Sequence, residues 1–308
     1  MSDVTIARPE SAAGAAPRSA TGWIRNPWGK PRFLRAVTWG YLAWSILPVL
    51  IAVAFSFNSG RSRSTWQGFS MRWWYQDPFD SLWHDAALRS AMFQTFRLSL
   101  LTVLLAVPLG TMFAIGVDRW RGRPAATANG FMLFSFVLPE IILGVSLFLL
   151  FTNLFDELVR LGTTAQVLGL VTFQLSYPVI IVRARLLSIG PEYEEAAMDL
   201  GATPNQALRR VLLPLLGPAI LASVALVFAD SVDNFVTVRY LSGQAPTEPL
   251  SVKIYTAARA SPTPAVNAAA TVMLVATLTV IAVAFVLYRR ISGSRGEEIA
   301  TPAALAEL

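Results

Sequence analysis

The 308-residue sequence contains no cysteine, a single histidine and few charged residues. The absence of cysteine excludes disulfides, thiolate metal sites and thiol nucleophiles. His84 alone cannot form a cluster of histidine ligands for a metal. Charged residues make up 14% of the chain, against about 25% in soluble domains. Because 54% of the residues are hydrophobic and the mean hydropathy is +0.52, the composition indicates an integral membrane protein.

Six apolar stretches are long enough to cross a bilayer, which takes about 20 residues in an α-helix. Prolines occur inside several of them, and we expect kinks there, because neighbouring helices can satisfy the carbonyls that proline leaves unpaired. The sequence therefore predicts an all-α integral membrane fold with six transmembrane helices. The predicted spans are about Ala36–Phe57, Phe96–Val117, Gly130–Phe151, Ala165–Val182, Pro214–Phe235 and Val266–Tyr288, and the prolines are Pro48, Pro108, Pro139 and Pro178.

The predicted spans are flanked by two polar tails. Residues 1–34 are rich in Ala, Pro, Ser and Arg, and they lack the apolar core of about 7–15 residues that a signal peptide needs. We predict that they form a disordered cytoplasmic tail. Residues 35–290 form the predicted transmembrane domain, and residues 291–308 form a second cytoplasmic tail.

The distribution of Lys and Arg predicts the orientation, because cytoplasmic loops carry an excess of them. With the N-terminus inside, the inner segments hold sixteen basic residues and the outer segments hold nine. Both termini are therefore expected in the cytoplasm. The net charge of +6 does not indicate a nucleic-acid partner, because the basic residues lie mainly at the ends of apolar spans.

The predicted outer loop Asn58–Thr95 is rich in aromatic residues. A helix lying on the outer membrane surface and an aromatic belt at the interface both fit this composition, and the belt is favoured. The aromatic residues are Trp66, Trp73, Trp74, Tyr75, Phe79 and Trp83.

Residues 191–220, PEYEEAAMDLGATPNQALRRVLLPLLGPAI, predict a charged two-helix elbow on the inner side. Pro191 suits a first helical turn, and the acidic residues that follow it are favoured there by the helix dipole. Gly201 can adopt positive φ and end this helix. Thr203, Pro204 and Gln206 form the pattern of a capping box at the start of the second helix.

Two interpretations of the elbow are possible. An amphipathic helix could rest on lipid headgroups, but such helices are usually basic, whereas this one is acidic. A surface on which another protein docks is therefore favoured, and the small side chains of Ala196 and Ala197 would let that protein approach closely.

The elbow resembles the loop signature of the permease subunits of binding-protein-dependent ABC importers. That signature is Glu-Ala-Ala, three residues, Gly, nine residues, Ile, one residue and Leu-Pro. The corresponding residues here are Glu195-Ala196-Ala197, Gly201, Val211 and Leu213-Pro214, and Val211 is the one difference.

The resemblance covers about residues 35–290 and is closest to the spermidine/putrescine-type permeases. Around Asp233 the sequence is similar to the second permease of the pair in such systems, although Asn234 stands where a second Asp is common. Arg239 and Glu248 also depart from the usual pattern. The similar segments are Gly68–Trp73, Leu138–Leu147, Thr172–Val179, Val182–Leu186, Ser231–Val236 and Leu241–Gly243.

The resemblance implies a type I ABC importer permease fold in a bacterial inner membrane, with a coupling loop at about 188–213 that docks on a cytoplasmic ATPase. It implies as partners a second permease subunit, two copies of the ATPase, a periplasmic binding protein and membrane lipid. The best candidate solute is a polyamine; an opine, an aminophosphonate, another small organic solute or iron is the alternative. The implied ATPase-coupling residues are Glu194, Glu195, Ala196, Ala197, Asp199, Leu200, Gly201 and Ala202.

The chain itself is not expected to hydrolyse ATP. A phosphate-binding loop needs Gly, four residues and Gly-Lys-Ser/Thr, whereas Gly22 and Gly29-Lys30 are separated by six residues and followed by Pro31. ATP and Mg²⁺ are therefore expected on the partner ATPase, with no cofactor in this chain.

Acidic residues within the spans are candidates for the solute path. Ionisable groups at membrane depth are costly and usually face a bundle interior or water. They could line a route for a cationic ligand; alternatively, Asp233 lies at the outer interface and Glu140 pairs with a polar neighbour. The candidate path residues are Glu140, Asp230, Asp233 and Asn234.

Two other classes of protein fit less well. An intramembrane hydrolase would need a Ser–His pair or two aspartates from different spans, whereas His84 lies in the outer loop and Asp230 and Asp233 share one helix. A channel or secondary transporter would be expected to show an internal repeat of spans, and none is visible.

Overall fold

The computed structural model describes residues 32–62, 65–119, 123–243, 245–260 and 263–293. The chain forms two compact units. The first comprises residues 1–48 and 300–308, and its described part is helical as far as Pro48. The second comprises residues 49–299 and holds the last turns of that helix and the remaining elements. Both predicted tails, apart from residues 32–34 and 291–293, and the Gly22–Lys30 segment lie outside the described residues.

The described residues are almost entirely helical. Two π-helical turns, Arg72–Gln76 and Leu208–Leu212, and a 3-10 turn, Ala245–Thr247, accompany the α-helices. The α-helices are α1 (Arg32–Phe55), α2 (Ala86–Arg119), α3 (Arg123–Val137), α4 (Glu140–Asn153), α5 (Thr163–Gln174), α6 (Ser176–Ile189), α7 (Glu192–Asp199), α8 (Pro204–Ala207), α9 (Leu213–Asp233), α10 (Val236–Leu241), α11 (Leu250–Ala260) and α12 (Pro264–Gly293).

Five of the six predicted spans correspond to helical segments that are long and apolar enough to cross a membrane. The fourth span is α5 and α6 together, and the fifth runs unbroken from α8 through the π-helical turn into α9. The all-α membrane fold is thus confirmed. The five segments are Phe33–Phe55, Ala86–Arg119, Thr163–Ile189, Pro204–Asp233 and Pro264–Arg290.

The third span is not the single helix that we expected over Gly130–Phe151. It consists of α3 and α4, which are separated at Leu138 and Pro139. The residue before a proline is disfavoured in the helical conformation, and Pro139 itself is extended, with ψ 128°. Proline here breaks the span rather than kinking it.

The other prolines have milder effects on the helices. Pro48 and Pro108 lie within continuous helices. Pro178 cannot donate to the carbonyl of Gln174, and the boundary between α5 and α6 falls at Leu175. Leu175 keeps helical angles, with φ −55° and ψ −31°, so the fourth span continues through this boundary.

Helix α2 is the central helix of the second unit and contacts α3, α5, α6, α9, α11 and α12. Its 34 residues extend about 51 Å at 1.5 Å per residue. Gly110 allows α2 and α6 to approach closely, because a Cβ at this position would lie 2.5 Å from the Pro178 side chain. Small residues at such contacts are typical of packed membrane helices.

Residues 56–85 form a compact loop between α1 and α2, and we call the side of the second unit that carries it the loop side. Trp73 does not belong to the predicted aromatic belt, because it is fully buried and its indole N–H donates to the carbonyl of Asn58 at 2.6 Å. The Arg72 guanidinium lies 4.9 Å from the Trp73 ring centroid. Trp83 and Phe79 remain exposed.

Asp77 stabilises the turn that follows Trp73. Its carboxylate accepts hydrogen bonds from the backbone N–H groups of Asp80 at 2.9 Å and Phe79 at 3.1 Å, and from Arg72 at 2.8 Å. These bonds lower the pKa of Asp77 to about 2. A carboxyl group with a lowered pKa stabilises the fold above its ordinary pKa, and the stabilisation is lost as the pH falls through the lowered value.

We therefore predict that the loop keeps its structure above about pH 4 and loosens as the pH falls toward about 2. Asp77→Asn should remove most of this pH dependence and raise hydrogen exchange of residues 72–82 at neutral pH. The matched control is Asp80→Asn, because the Arg61–Asp80 ion pair is exposed and such pairs contribute little. Equal hydrogen exchange of residues 72–82 in the two variants would show that Asp77 does not stabilise the loop.

Candidate functional site

The first half of the elbow is helix α7, which ends in a Schellman motif. The N–H of Ala202 donates to the carbonyl of Ala197 at 3.0 Å, and the N–H of Gly201 donates to that of Met198 at 2.9 Å. Gly201 has φ +89°, a conformation that favours glycine. The predicted termination of this helix at Gly201 is confirmed.

The second half of the elbow begins with the predicted capping box. The Gln206 N–H donates to the Thr203 hydroxyl, the Thr203 N–H donates to the Gln206 side chain at 2.9 Å, and Pro204 occupies the first turn. The helix then widens into a π-helical turn at Leu208–Leu212. Pro214 lacks the N–H that would bond the carbonyl of Arg210. The elbow is therefore continuous with the fifth span.

A salt bridge connects the elbow to the second span. The guanidinium of Arg119, the last residue of α2, pairs with the carboxylate of Glu194. The Glu194 side chain is 13% exposed and that of Arg119 is 39% exposed. The contact places the C-terminal end of α2 at the elbow, and we call the side of the second unit that carries the elbow the elbow side.

A hydrophobic core lies directly beneath the elbow. Leu212 and Leu216 pack with Val182 and Leu186 of α6 and with Ala114 of α2. All five side chains are buried. Close-packed protein interiors have low compressibility and transmit displacement rather than absorbing it. A force on the elbow would therefore reach the second, fourth and fifth spans together.

The outward face of α7 is exposed in the described structure. None of its eight residues is buried, and Leu200 is 91% exposed. Tyr193 and Met198 are also exposed beside the acidic residues. Of the predicted coupling residues, Glu194 faces Arg119, Ala197 and Ala202 are half-buried, and the exposed ones are Glu195, Ala196, Asp199, Leu200 and Gly201.

The predicted path residues Glu140 and Asn234 contact each other, although they lie 94 positions apart. Glu140 Oε1 accepts hydrogen bonds from Asn234 Nδ2 at 2.7 Å, from the Thr237 hydroxyl at 2.9 Å and from the Thr237 N–H at 3.3 Å. Glu140 follows the break between α3 and α4, and Asn234 lies at the break between α9 and α10.

Asp230 lies beside polar residues of the fourth span. The Tyr177 hydroxyl is 3.5 Å from Asp230 Oδ1, at the limit of a hydrogen bond. Asp230 Oδ2 is buried and has no hydrogen-bond partner among the described residues. Gln174, which is fully buried, accepts a bond from the Ser231 hydroxyl at 2.8 Å.

Asp233 faces a third environment. It lines a groove of about 260 Å³ together with Leu250 and Ser251 of α11 and Met273 and Thr277 of α12. Of the four path candidates, Glu140 and Asn234 form a hydrogen-bonded pair, and Asp230 and Asp233 have other neighbours. Within the described residues, no group of three His, Cys, Asp or Glu side chains could hold a metal ion.

Asp230 and Asp233 come from one helix, whereas a hydrolase would need two aspartates from different spans. The Ser81 hydroxyl is 2.9 Å from His84 Nδ1, but this pair lies in the loop rather than in a span.

Four residues of these sites were not singled out from the sequence. Arg119 and Thr237 supply partners to predicted residues, and Gln174 and Tyr177 surround Asp230. A glutamine inside an apolar span is a visible signal, because polar groups there need partners. The other three are common residue types at ordinary positions.

The family of the chain follows from a comparison with known sequences. Residues 106–295 match the family described as the binding-protein-dependent transport system inner membrane component. This match covers more than half of the 308 residues. The chain belongs to this family. It is a permease subunit of an ABC importer and an inner membrane protein, as the elbow and the helical fold predicted.

Similar proteins cover most of this permease. It is 30% identical over 256 residues to the spermidine/putrescine transport system permease protein PotC of Escherichia coli K12, covering 83% of the chain and 94% of the relative. It is 31% identical over 280 residues to the putrescine transport system permease protein PotI of the same strain, and the match covers 90% of the chain and 96% of PotI.

Solved structures share the fold of the permease. A chain of a bacterial ABC transporter that imports alginate aligns with a TM-score of 0.65 at 18% identity, covering 84% of the permease and 96% of that chain. A chain of an inward-facing MetNI methionine ABC transporter aligns with a TM-score of 0.55 at 17% identity, covering 67% of the permease and 94% of that chain. These identities support the fold alone.

We predict that the Arg119–Glu194 salt bridge links the elbow to α2 during transport. In double-mutant cycles, contacting residues show interaction energies of about 0.5–3 kcal/mol. Arg119→Gln or Glu194→Gln should therefore lower transport per ATP hydrolysed by roughly tenfold, a factor equal to about 1.4 kcal/mol. The exchanged pair Arg119→Glu with Glu194→Arg should recover much of it.

The measurement is solute uptake and ATP hydrolysis by the assembled transporter in vesicles. Arg210→Gln is the matched control, because Arg210 is an exposed elbow arginine. The link would be refuted if the exchanged pair were no better than either single variant.

Proposed function

We propose that this permease carries a polyamine such as spermidine or putrescine. The observation that carries the proposal is the likeness to PotC and PotI, at 30% and 31% identity over 83% and 90% of the chain. An opine, an aminophosphonate, another small organic solute or iron is the alternative cargo.

The charge distribution supports a cationic solute. Asp230 and Asp233 lie in the last turn of α9, where unpaired carbonyls carry the negative end of the helix dipole. Two carboxylates and a set of carbonyl oxygens attract ammonium groups and repel anions. We propose that Asp230 and Asp233 line the path, with the bonded pair Glu140 and Asn234 in its wall at the helix break.

We propose that the elbow docks on a cytoplasmic ATPase, so that both termini are cytoplasmic. The exposed Leu200, the small side chain of Ala196 and the acidic residues of α7 support this docking surface. The full set of coupling residues is Glu194, Glu195, Ala196, Ala197, Asp199, Leu200, Gly201 and Ala202.

The working transporter that we propose has further subunits. These are a second permease, which forms a heterodimer with this one, two ATPase copies and a periplasmic binding protein, all assembled in membrane lipid. ATP and Mg²⁺ bind to the ATPase, and this permease carries out no catalysis. Closure of the ATPases would displace the elbow, and the spans would switch between two packings as rigid bodies.

The solute proposal is tested by uptake of radiolabelled spermidine and putrescine in cells with and without the permease. Asp230→Asn and Asp233→Asn should each raise the KM for both polyamines, by roughly tenfold if one charge contact of about 1.4 kcal/mol is lost. Asp156→Asn, at an exposed position outside the spans, is the control. Unchanged polyamine uptake in both variants would exclude the acidic path, and no uptake by the native permease would exclude the solute.

The docking proposal is tested by purifying the permease and measuring how much ATPase accompanies it. Ala196→Trp places a large side chain on the exposed face of α7 and should reduce the ATPase recovered by about tenfold or more, since it disrupts a close-packed contact. Ala196→Ser keeps the residue small and should recover the normal amount. Equal recovery from both would argue that another surface binds the ATPase.

A further inference from the structure

A single carboxylate connects the break in the third span to the end of the fifth. The third span is interrupted at Leu138–Pro139, and the fifth ends at Asp233, where Asn234 and Phe235 separate α9 from α10. Glu140 Oε1 accepts hydrogen bonds from Asn234 Nδ2, from the Thr237 hydroxyl and from the Thr237 N–H, at 2.7, 2.9 and 3.3 Å. This oxygen therefore connects the start of α4 to the break before α10.

Helix α10 also packs closely on its neighbours beyond this carboxylate. A Cβ at Gly144 of α4 would lie 3.3 Å from the Tyr240 ring and 3.6 Å from Thr237 Cα. Gly169 of α5 faces Leu241 even more closely, because a Cβ there would lie 2.3 Å from the Leu241 side chain. Glycine at both contacts lets α10 lie between α4 and α5.

The far end of α10 is held by a second polar side chain. The fully buried Gln166 donates to the Ser242 hydroxyl and to the Thr247 carbonyl, each at 2.9 Å, and accepts from Gln94 at 2.9 Å. Glu140 thus forms hydrogen bonds at the start of α10, and Gln166 forms them just after its end. Such bonds satisfy backbone and side-chain groups where irregular structure lies within a membrane protein.

We propose that Glu140 is a positioning residue of the transport cycle. Its carboxylate joins the two helix breaks, so that α4 and α10 move as one body when the permease changes between its two states. Helix ends are the positions that absorb changes of backbone angle in such movements, and both breaks are helix ends. Three protein donors converge on Oε1, and in this role Glu140 acts on the solute through the helices that it holds.

This proposal rests on the function as a permease but does not depend on which solute is carried. A ligand role and a positioning role for Glu140 predict different effects of the amide. Glu140→Gln loses the charge but keeps an oxygen that accepts from Asn234 and Thr237, whereas Glu140→Ala loses both. Positioning therefore predicts near-normal transport in Glu140→Gln and a loss of roughly tenfold in Glu140→Ala, the size expected when a hydrogen bond to a charged group is removed.

The first measurement is spermidine uptake by the assembled transporter in vesicles. Thr237→Val removes a hydroxyl donor to Glu140 at nearly constant volume and should act non-additively with Glu140→Ala, because the two residues share one interaction. Thr172→Val is the matched control, because the Thr172 hydroxyl bonds within its own helix. If Glu140→Ala does not accumulate in the membrane, Thr237→Val takes its place in both measurements.

The second measurement needs no solute. Because the chain has no cysteine, Gly144→Cys and Tyr240→Cys introduce a unique thiol pair across the α4–α10 contact, and Tyr240→Cys also makes room for the new side chain. We expect a short bifunctional thiol reagent to bridge the pair as fast in Glu140→Gln as in the native background, and about tenfold more slowly in Glu140→Ala.

The outcomes separate the two roles. Slower bridging in Glu140→Ala, with normal bridging in Glu140→Gln, supports the proposal even if spermidine is not the solute. If Glu140→Gln lowers uptake as much as Glu140→Ala while bridging is normal in both, the charge contacts the solute and the proposal is wrong. Unchanged bridging in Glu140→Ala and Thr237→Val also overturns it.

Discussion

A helix that breaks within a membrane must find new partners for the backbone groups that the break leaves unpaired. The chain meets this constraint with polar side chains from distant segments. At the end of the fifth span, Glu140 binds Asn234 and Thr237, and the Ser251 hydroxyl donates to the Asn234 carbonyl at 2.7 Å. Beyond the end of α10, the Gln166 side chain donates a hydrogen bond to the Thr247 carbonyl. The arrangement of α4, α5, α10 and α11 depends on these bonds being satisfied together.

The elbow side is organised by packing and charge rather than by a helix break. Leu212 and Leu216 continue the elbow into the buried core, and the Arg119–Glu194 salt bridge adds a direct contact with the central helix. The elbow therefore has one face joined to the spans and one face exposed. A docking element that transmits movement needs an exposed face for its partner and a second face joined to the spans. Helix α2 runs from the loop side to the elbow, where its last residue, Arg119, contacts Glu194.

Local features were predictable because their causes are local. The capping box at Thr203 and the helix end at Gly201 involve residues within six positions of each other, and both occur as expected. Long apolar stretches predicted five spans directly. The third span was predicted less well, because whether Pro139 kinks or breaks a helix depends on the structure around it. The Glu140 side chain beside the break has its amide partner, Asn234, 94 positions away.

The sequence alone determined the membrane class, the elbow and the family, because composition, hydrophobic length and motif spacing are properties of the linear chain. Only the tertiary structure decided which polar residues share a site. Glu140 and Asn234 form one bonded pair, whereas Asp230 and Asp233, three positions apart on one helix, lie in different surroundings. The physical reason is that hydrogen bonds depend on distance in space, and helix packing sets that distance independently of separation along the chain.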